Sequence, residues 1–108
     1  MSIIVWANAE DKPVQAISQG IRARQLWQGE AGAQAVVVEI DPGAQWDGVD
    51  SHPDNSEEVF VLSGVFNDGV RDYPEGTFIH HPIGSSHVPQ SQTGCQLFIF
   101  YPPQQRGA

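Results

Sequence analysis

The sequence of 108 residues has little positive charge. Five Lys and Arg stand against thirteen Asp and Glu, which gives a formal net charge of −8. Nucleic acid is not expected as a partner, because binding to it relies on basic side chains that neutralise phosphates. An anionic membrane surface is not expected either, since it attracts the same basic residues.

Cysteine and long apolar runs are also scarce. The single cysteine, Cys95, excludes an internal disulfide framework and an all-cysteine zinc site within one chain. No apolar run is long enough to cross a bilayer. The short run Ile3–Trp6 has no basic residue before it, so it lacks the form of a signal peptide. We therefore expect a cytoplasmic location.

Room for helices is limited, because eleven Gly and eight Pro are spread along the chain. Only residues 7–20 could hold a helix, and Pro13 and Gly20 limit it to a short one. The length fits one domain over residues 1–108. Within it, we expect residues 1–20 to form an N-terminal strand or arm and residues 104–108 a loose tail.

The segments between these breaks are typical of short β-strands. They are residues 23–27, 35–40, 59–62, 65–66, 77–81, 86–88 and 96–101. The segment 59–62 is apolar at every position, so we expect both of its faces to be buried and the strand to end at Ser63–Gly64. Many short strands favour an all-β sandwich or barrel, and a small barrel can hold one ligand or metal.

Histidines and acids in the second half could bind a metal. Seven acids and no Lys or Arg fall between residues 39 and 58. Asp50 and His52 are two residues apart, so on an extended chain they face the same way. Glu57 opens the next strand, and His87 comes from a separate segment. Imidazole with carboxylate suits Zn, Fe, Mn, Ni or Cu; the alternative is a solvated acidic loop.

Two further histidines, His80 and His81, are neighbours in one predicted strand. Their side chains have opposite parity, so at most one points inward. We expect one to be exposed and the other to lie near the rim. The alternative is that one of them contacts the metal ligands or a substrate.

Two stretches resemble the motifs of the cupin family. Residues 76–87 match the second motif, which is Gly, five residues, Pro, any residue, Gly, two residues, His; Ser91 stands where Asn usually closes it. Residues 50–64 resemble the first motif, His-any-His, a short gap, Glu, six residues, Gly. There Asp50 replaces the first His.

The sequence of the second half is similar to that of one cupin subgroup, which contains the ChrR-type anti-sigma factors and dihydroxyacetophenone dioxygenase. The residues that carry this similarity are 57–68, 72–78, 81–87 and 94–97. The resemblance implies a double-stranded β-helix, a small jelly-roll barrel, that holds one divalent transition metal such as Fe, Zn, Mn or Ni. The ligands it implies are His52, Glu57 and His87, with Asp50 in the place of a third His.

Two functions from different classes remain open at this point. One is a metal-dependent enzyme, most simply an Fe-type dioxygenase that acts on a small organic molecule. The other is a non-catalytic module that binds or senses a metal or small ligand. A metal-free structural cupin is a weaker third hypothesis, because Asp50 departs from the motif. By analogy with small cupins that pair through edge strands, we expect a homodimer.

Overall fold

The computed structural model describes residues 2–104, and within that range the chain contains no α-helix. No helix there is long and apolar enough to cross a membrane. Two 3₁₀ turns, Ala9–Asp11 and Glu30–Gly32, accompany eleven strands. The strands are β1 (Gln15–Ser18), β2 (Ile21–Gln28), β3 (Gln34–Ile40), β4 (Ala44–Gln45), β5 (Asp50–Ser51), β6 (Glu57–Asn67), β7 (Asp72–Pro74), β8 (Phe78–His81), β9 (Ser86–His87), β10 (Gln90–Ser91) and β11 (Cys95–Tyr101).

The strands form one nine-stranded sheet and one two-stranded sheet, all antiparallel. The larger sheet runs in the order β1-β2-β3-β11-β6-β10-β4, with β7 and β8 also paired to β6. The smaller sheet is β5 with β9, where Asp50 lies opposite His87. The larger sheet bends into a nearly closed barrel, so the predicted all-β jelly roll is confirmed.

The long strand β6 differs from the prediction in two ways. It does not end at Ser63–Gly64 but continues to Asn67. Gly64 lies within the strand and takes a positive φ of 74°. A Cβ at Gly64 would lie 2.1 Å from the carbonyl oxygen of Gly94, so no side chain fits there. Only one face of β6 is buried along residues 59–62, because Phe60 and Leu62 are 41% and 43% exposed.

The core lies between the inward faces of these strands. Its buried members are Ile21, Ala23, Val36, Val38, Ile40, Val59, Val61, Phe66, Ile79, Cys95, Leu97 and Ile99. Ser91, at the departure from the second motif, is buried and donates its hydroxyl to the carbonyl oxygen of Val65 at 2.5 Å. This bond ties β10 to β6, which indicates a structural role for that side chain.

Segments without regular strands flank the sheet within the described residues. Before β1, residues 3–6 are exposed, and Arg24 holds the following turn by donating to the carbonyl oxygens of Ala9 and Lys12. At the other end, the backbone N–H of Gln104 donates to the carbonyl oxygen of Ala31 at 2.7 Å. The rest of the predicted tail, residues 105–108, lies outside the described residues.

Candidate metal centre

Three strands, β5, β9 and β6, bring the four predicted ligands together. Asp50 opens β5, His87 closes β9, and the two face each other across the small sheet. His52 follows β5 directly, and its backbone is fixed by bonds to the turn after β8: its N–H donates to the carbonyl oxygen of Ser85 and its own carbonyl accepts from Gly84. Glu57 is the first residue of β6 and points inward. Residues distant in sequence therefore converge at one end of the barrel.

The donor atoms of these residues form a compact group. One ligand atom from each of Asp50, His52, Glu57 and His87 lies within 4.8 Å of all the others. Nε2 of His52 is 3.0 Å from Nε2 of His87, and each lies 3.4 or 3.3 Å from Oε1 of Glu57. Oδ2 of Asp50 is 3.3 Å from the His87 nitrogen and 3.8 Å from the His52 nitrogen.

These separations suit donors that share one metal ion. Two donors about 2.1 Å from a metal lie roughly 3.0–3.8 Å apart when the angle between them is ~90–130°. Oε1 of Glu57 is buried and has no hydrogen-bond partner among the described residues, a costly state for a carboxylate unless a cation or donor meets it. The residues present therefore fit a divalent transition metal.

Without a metal, the carboxylates and His87 stabilise one another's charges. Burial alone would raise the pKa of Glu57, but the nearby His87 and the Tyr101 hydroxyl outweigh it and hold that pKa below its usual value. Burial likewise disfavours the charged form of His87, yet Asp50 and Glu57 raise its pKa to about 9. His87 is then an imidazolium at neutral pH, so a metal must displace its proton.

Tyr101 belongs to the site, although the sequence analysis did not name it. Its hydroxyl donates to Oε2 of Glu57 at 2.6 Å, while Oε1 stays directed at the other donors. Burial and the Glu57 charge raise the pKa of Tyr101, so it remains a donor. The sequence does indicate that Tyr101 points inward, because it alternates with the apolar Leu97 and Ile99 along the same strand.

The two neighbouring histidines of β8 face opposite sides. His80 is exposed and pairs with the carboxylate of Glu58 on the outer surface. His81 is not near the rim as predicted: it is 7% exposed, and its Nδ1 lies 3.3 Å from Oε1 of Glu57. The β6–β8 register explains this, because it places Glu57 opposite His81 and Glu58 opposite His80.

A cavity of about 110 Å³ adjoins the donor group. Asp50, Glu57 and His87 line one part of it together with Tyr101. Most of the remaining wall is apolar and includes Ile21, Ile40, Trp46, Phe66 and Leu97. Neither Lys nor Arg is among the described residues that line it. A metal held by the four donors would therefore face a small, largely apolar chamber.

A jelly-roll barrel with a histidine and carboxylate cluster inside defines a cupin. Within that class, the model of the ChrR cupin-like domain matches residues 4–105, so the chain belongs to the ChrR cupin-like family. The predicted resemblance is thereby confirmed, and it extends over both halves of the sequence. No curated protein matches the chain.

Solved structures support the same fold. An RmlC-like cupin from Shewanella frigidimarina superimposes with a TM-score of 0.79 at 24% identity, covering 94% of this chain and 92% of that one. KdgF from Halomonas sp. gives 0.76 at 18% identity, covering 92% and 95%. The Rhodobacter sphaeroides structure of SigE with the anti-sigma ChrR gives 0.73 at 22%, covering 88% of this chain and 51% of that one. This chain thus spans about half of the latter.

Proposed function

We propose that this protein binds one divalent transition metal through His52, Glu57, His87 and Asp50 and acts as a metal-dependent dioxygenase, or a related enzyme, on a small organic molecule. The observation that carries the proposal is the convergence of these donors, three of which (Asp50, Glu57 and His87) line a largely apolar cavity. His52, His87 and Glu57 supply the two histidines and one carboxylate that non-haem Fe(II) oxygenases use, and Asp50 adds a second carboxylate.

The bound metal would act as a Lewis acid and as a template that orients the substrate and oxygen. The protein's own residues supply the rest. Tyr101 holds Glu57 in place through its hydroxyl, and the apolar wall limits water around the reacting groups. Asp50 and Glu57 offset the charge of a divalent ion, so the chamber suits a small substrate with an apolar body.

Metal analysis followed by oxygen uptake tests this proposal. Protein purified without chelator, under air and without air, should contain about one metal ion per chain. Oxygen consumption should then appear with one member of a panel of phenols, diketones and thiols. His52→Ala and His87→Ala should each lose the metal, whereas His80→Ala, on the outer face, should retain it. Absence of stoichiometric metal from both preparations would contradict the proposal.

The second candidate is a binding or sensing module of the ChrR cupin type. It is favoured by the family and by the absence, among the described cavity-lining residues, of a further nucleophile outside the donor group and Tyr101. A metal-loaded protein that consumes no oxygen across the whole panel, yet gains thermal stability from one of these compounds, would favour the sensor over the enzyme.

We also propose that the protein forms a homodimer. The arm Ile3–Trp6 has four apolar side chains that are 68–89% exposed. The outer face of the large sheet carries Phe60, Phe78 and Phe98 side by side, and Phe100 stacks with Trp27. Pairing of two copies would cover both features, and stable interfaces bury ~1,200–2,000 Å² of surface.

The dimer is tested by light scattering at micromolar concentration. We expect the mass of two chains for the unchanged protein and a shift towards one chain for Trp6→Asp and Phe78→Asp. Val70→Asp is the matched control, since Val70 is 89% exposed in the β6–β7 turn. A single-chain mass for the unchanged protein would contradict the dimer.

We also propose a cytoplasmic location, in keeping with the free thiol of Cys95.

A further inference from the structure

His81 is a buried imidazole that neither cupin motif accounts for. It lies on β8 directly opposite Glu57 of β6, and directly opposed residues of paired strands point to the same face. Its ring centroid is 4.3 Å from that of His87 and 6.0 Å from that of His52. Three imidazoles therefore surround the Glu57 carboxylate.

Both ring nitrogens of His81 lack a hydrogen-bond partner among the described residues. Buried polar groups are nearly always satisfied, because leaving one without a partner costs free energy. Nδ1 lies 3.3 Å from Oε1 of Glu57, and this oxygen has no hydrogen-bond partner among the described residues either. Two unsatisfied groups that face each other at this distance suit a cation bound by both.

The same oxygen lies 3.3 Å from Nε2 of His87, which is one of the four converging donors. His81 is thus as close to Glu57 as an accepted member of the group, although it falls outside the set whose atoms all lie within 4.8 Å. It does not line the cavity, so contact with a substrate does not explain its position.

We propose that His81 is an additional metal ligand and supplies the third imidazole that is missing where Asp50 stands in the first motif. The inference rests on the proposed metal site. Asp50 has a side chain that is 27% exposed and lines the cavity. With three imidazoles and Glu57 on the metal, Asp50 would be the ligand that a substrate could most readily displace.

Copper serves as a probe because pulsed EPR counts the imidazoles bound to Cu(II). The protein should be loaded with slightly less than one equivalent of Cu(II), so that the tightest site is filled first. We expect three imidazoles in the unchanged protein and two in His81→Leu, with a loss of copper affinity of at least tenfold. His80→Leu, one residue away on the outer face, should keep the count and the affinity.

The unchanged protein alone is sufficient for a decision if His81→Leu does not fold. A count of two imidazoles in the unchanged protein would overturn the inference and leave the proposed metal site intact. A count of two combined with weaker binding by His81→Leu would make His81 a positioning residue for Glu57, which also overturns it. Failure of the unchanged protein to bind copper, and of the chelator-free preparations to contain metal, would remove the proposed metal site as well.

Discussion

Two glutamate–histidine pairs lie on opposite faces of the same two strands. Glu57 and His81 point into the barrel and are 1% and 7% exposed. Glu58 and His80, each one residue away, meet on the outer surface, where the His80 side chain is 55% exposed. Residue types and register are the same in the two pairs, so only the environment differs. Burial next to other donors makes one pair part of the proposed metal centre and leaves the other as an ordinary surface contact.

Two tyrosine–carboxylate pairs repeat this contrast. The hydroxyl of Tyr101 donates to Glu57 at 2.6 Å inside the barrel, and that of Tyr73 donates to Asp68 at 2.6 Å beside the β6–β7 turn. Asp68 also accepts from the backbone N–H groups of Val70 and Arg71, which lower its pKa together with the Tyr73 bond. The outer pair closes a turn, whereas the inner pair orients Glu57, a donor of the proposed metal site.

The largest difference in metal affinity is expected between two single variants, Glu57→Gln and Glu58→Gln. Glu57→Gln keeps the shape of the side chain but removes the central anionic donor, so metal affinity should fall by about 100-fold or more. Glu58→Gln is the control and should bind metal as the unchanged protein does. Isothermal titration with Co(II) measures both. Equal affinities for the two variants would show that the inner pair does not belong to a metal site.

A second effect concerns pH and acts through His87, one of the inner histidines. The pKa of His87 is raised to about 9, so below that pH the metal competes with a proton. Apparent metal affinity should rise by about tenfold per pH unit up to pH ~9 and then level off. An affinity that is flat between pH ~6 and ~9 would contradict the proton competition.

The raised pKa of His87 also determines how the stability of the metal-free protein changes with pH. The folded-state pKa of His87 lies above its unfolded value of ~6.5, so its contribution is fully present below pH ~6.5. That contribution is lost as the pH rises through about 9. Thermal unfolding should therefore show a decline over this range without metal and a smaller one with metal bound.

A smaller effect should distinguish the two tyrosines. Tyr101→Phe removes the hydroxyl that fixes Glu57, and loss of such an outer partner typically weakens metal binding about 10–100-fold. Tyr73→Phe, the matched control, should leave metal affinity unchanged, since its partner Asp68 lies at a surface turn. Both are measured by metal titration. A loss of equal size in the two variants would argue for a general effect on folding.

The smallest effect is expected for the outer pair itself. His80→Ala should change the free energy of unfolding by less than about 1 kcal/mol, because exposed ion pairs contribute little. Denaturant unfolding of the metal-free protein measures this value. A larger loss would mean that the outer pair stabilises the β6–β8 pairing more than its exposure suggests.

The sequence predicted the fold class because its turns and strand segments are local signals. The strand ending in Tyr101 lies where its residue types place it. The four predicted ligands, Asp50, His52, Glu57 and His87, come together in the structure, since the cupin motifs record their spacing. Whether they hold a metal stays a prediction.

Other features of the fold and of the site were not predicted, because they depend on contacts between segments that are distant in sequence. Gly64, through which β6 continues, lies so close to the carbonyl oxygen of Gly94, some thirty residues later in the chain, that no side chain fits there. The inward position of His81 depends on the register of β8 against β6, which its own segment does not determine. The exposure of Phe60 reflects the lack of a covering layer on the outer face within the described residues, and an apolar strand segment carries no sign of that.

The two-stranded sheet of β5 and β9 has a kinetic consequence. It carries Asp50 and His87 in strands of two residues each, and His52 follows immediately, anchored by backbone bonds to Ser85 and Gly84. One local opening of this small sheet would withdraw three donors from Glu57 at once. If the proposed metal is bound, its release and hydrogen exchange at the His52 amide should report the same opening, so the lifetime of the metal would depend on two strands of two residues each.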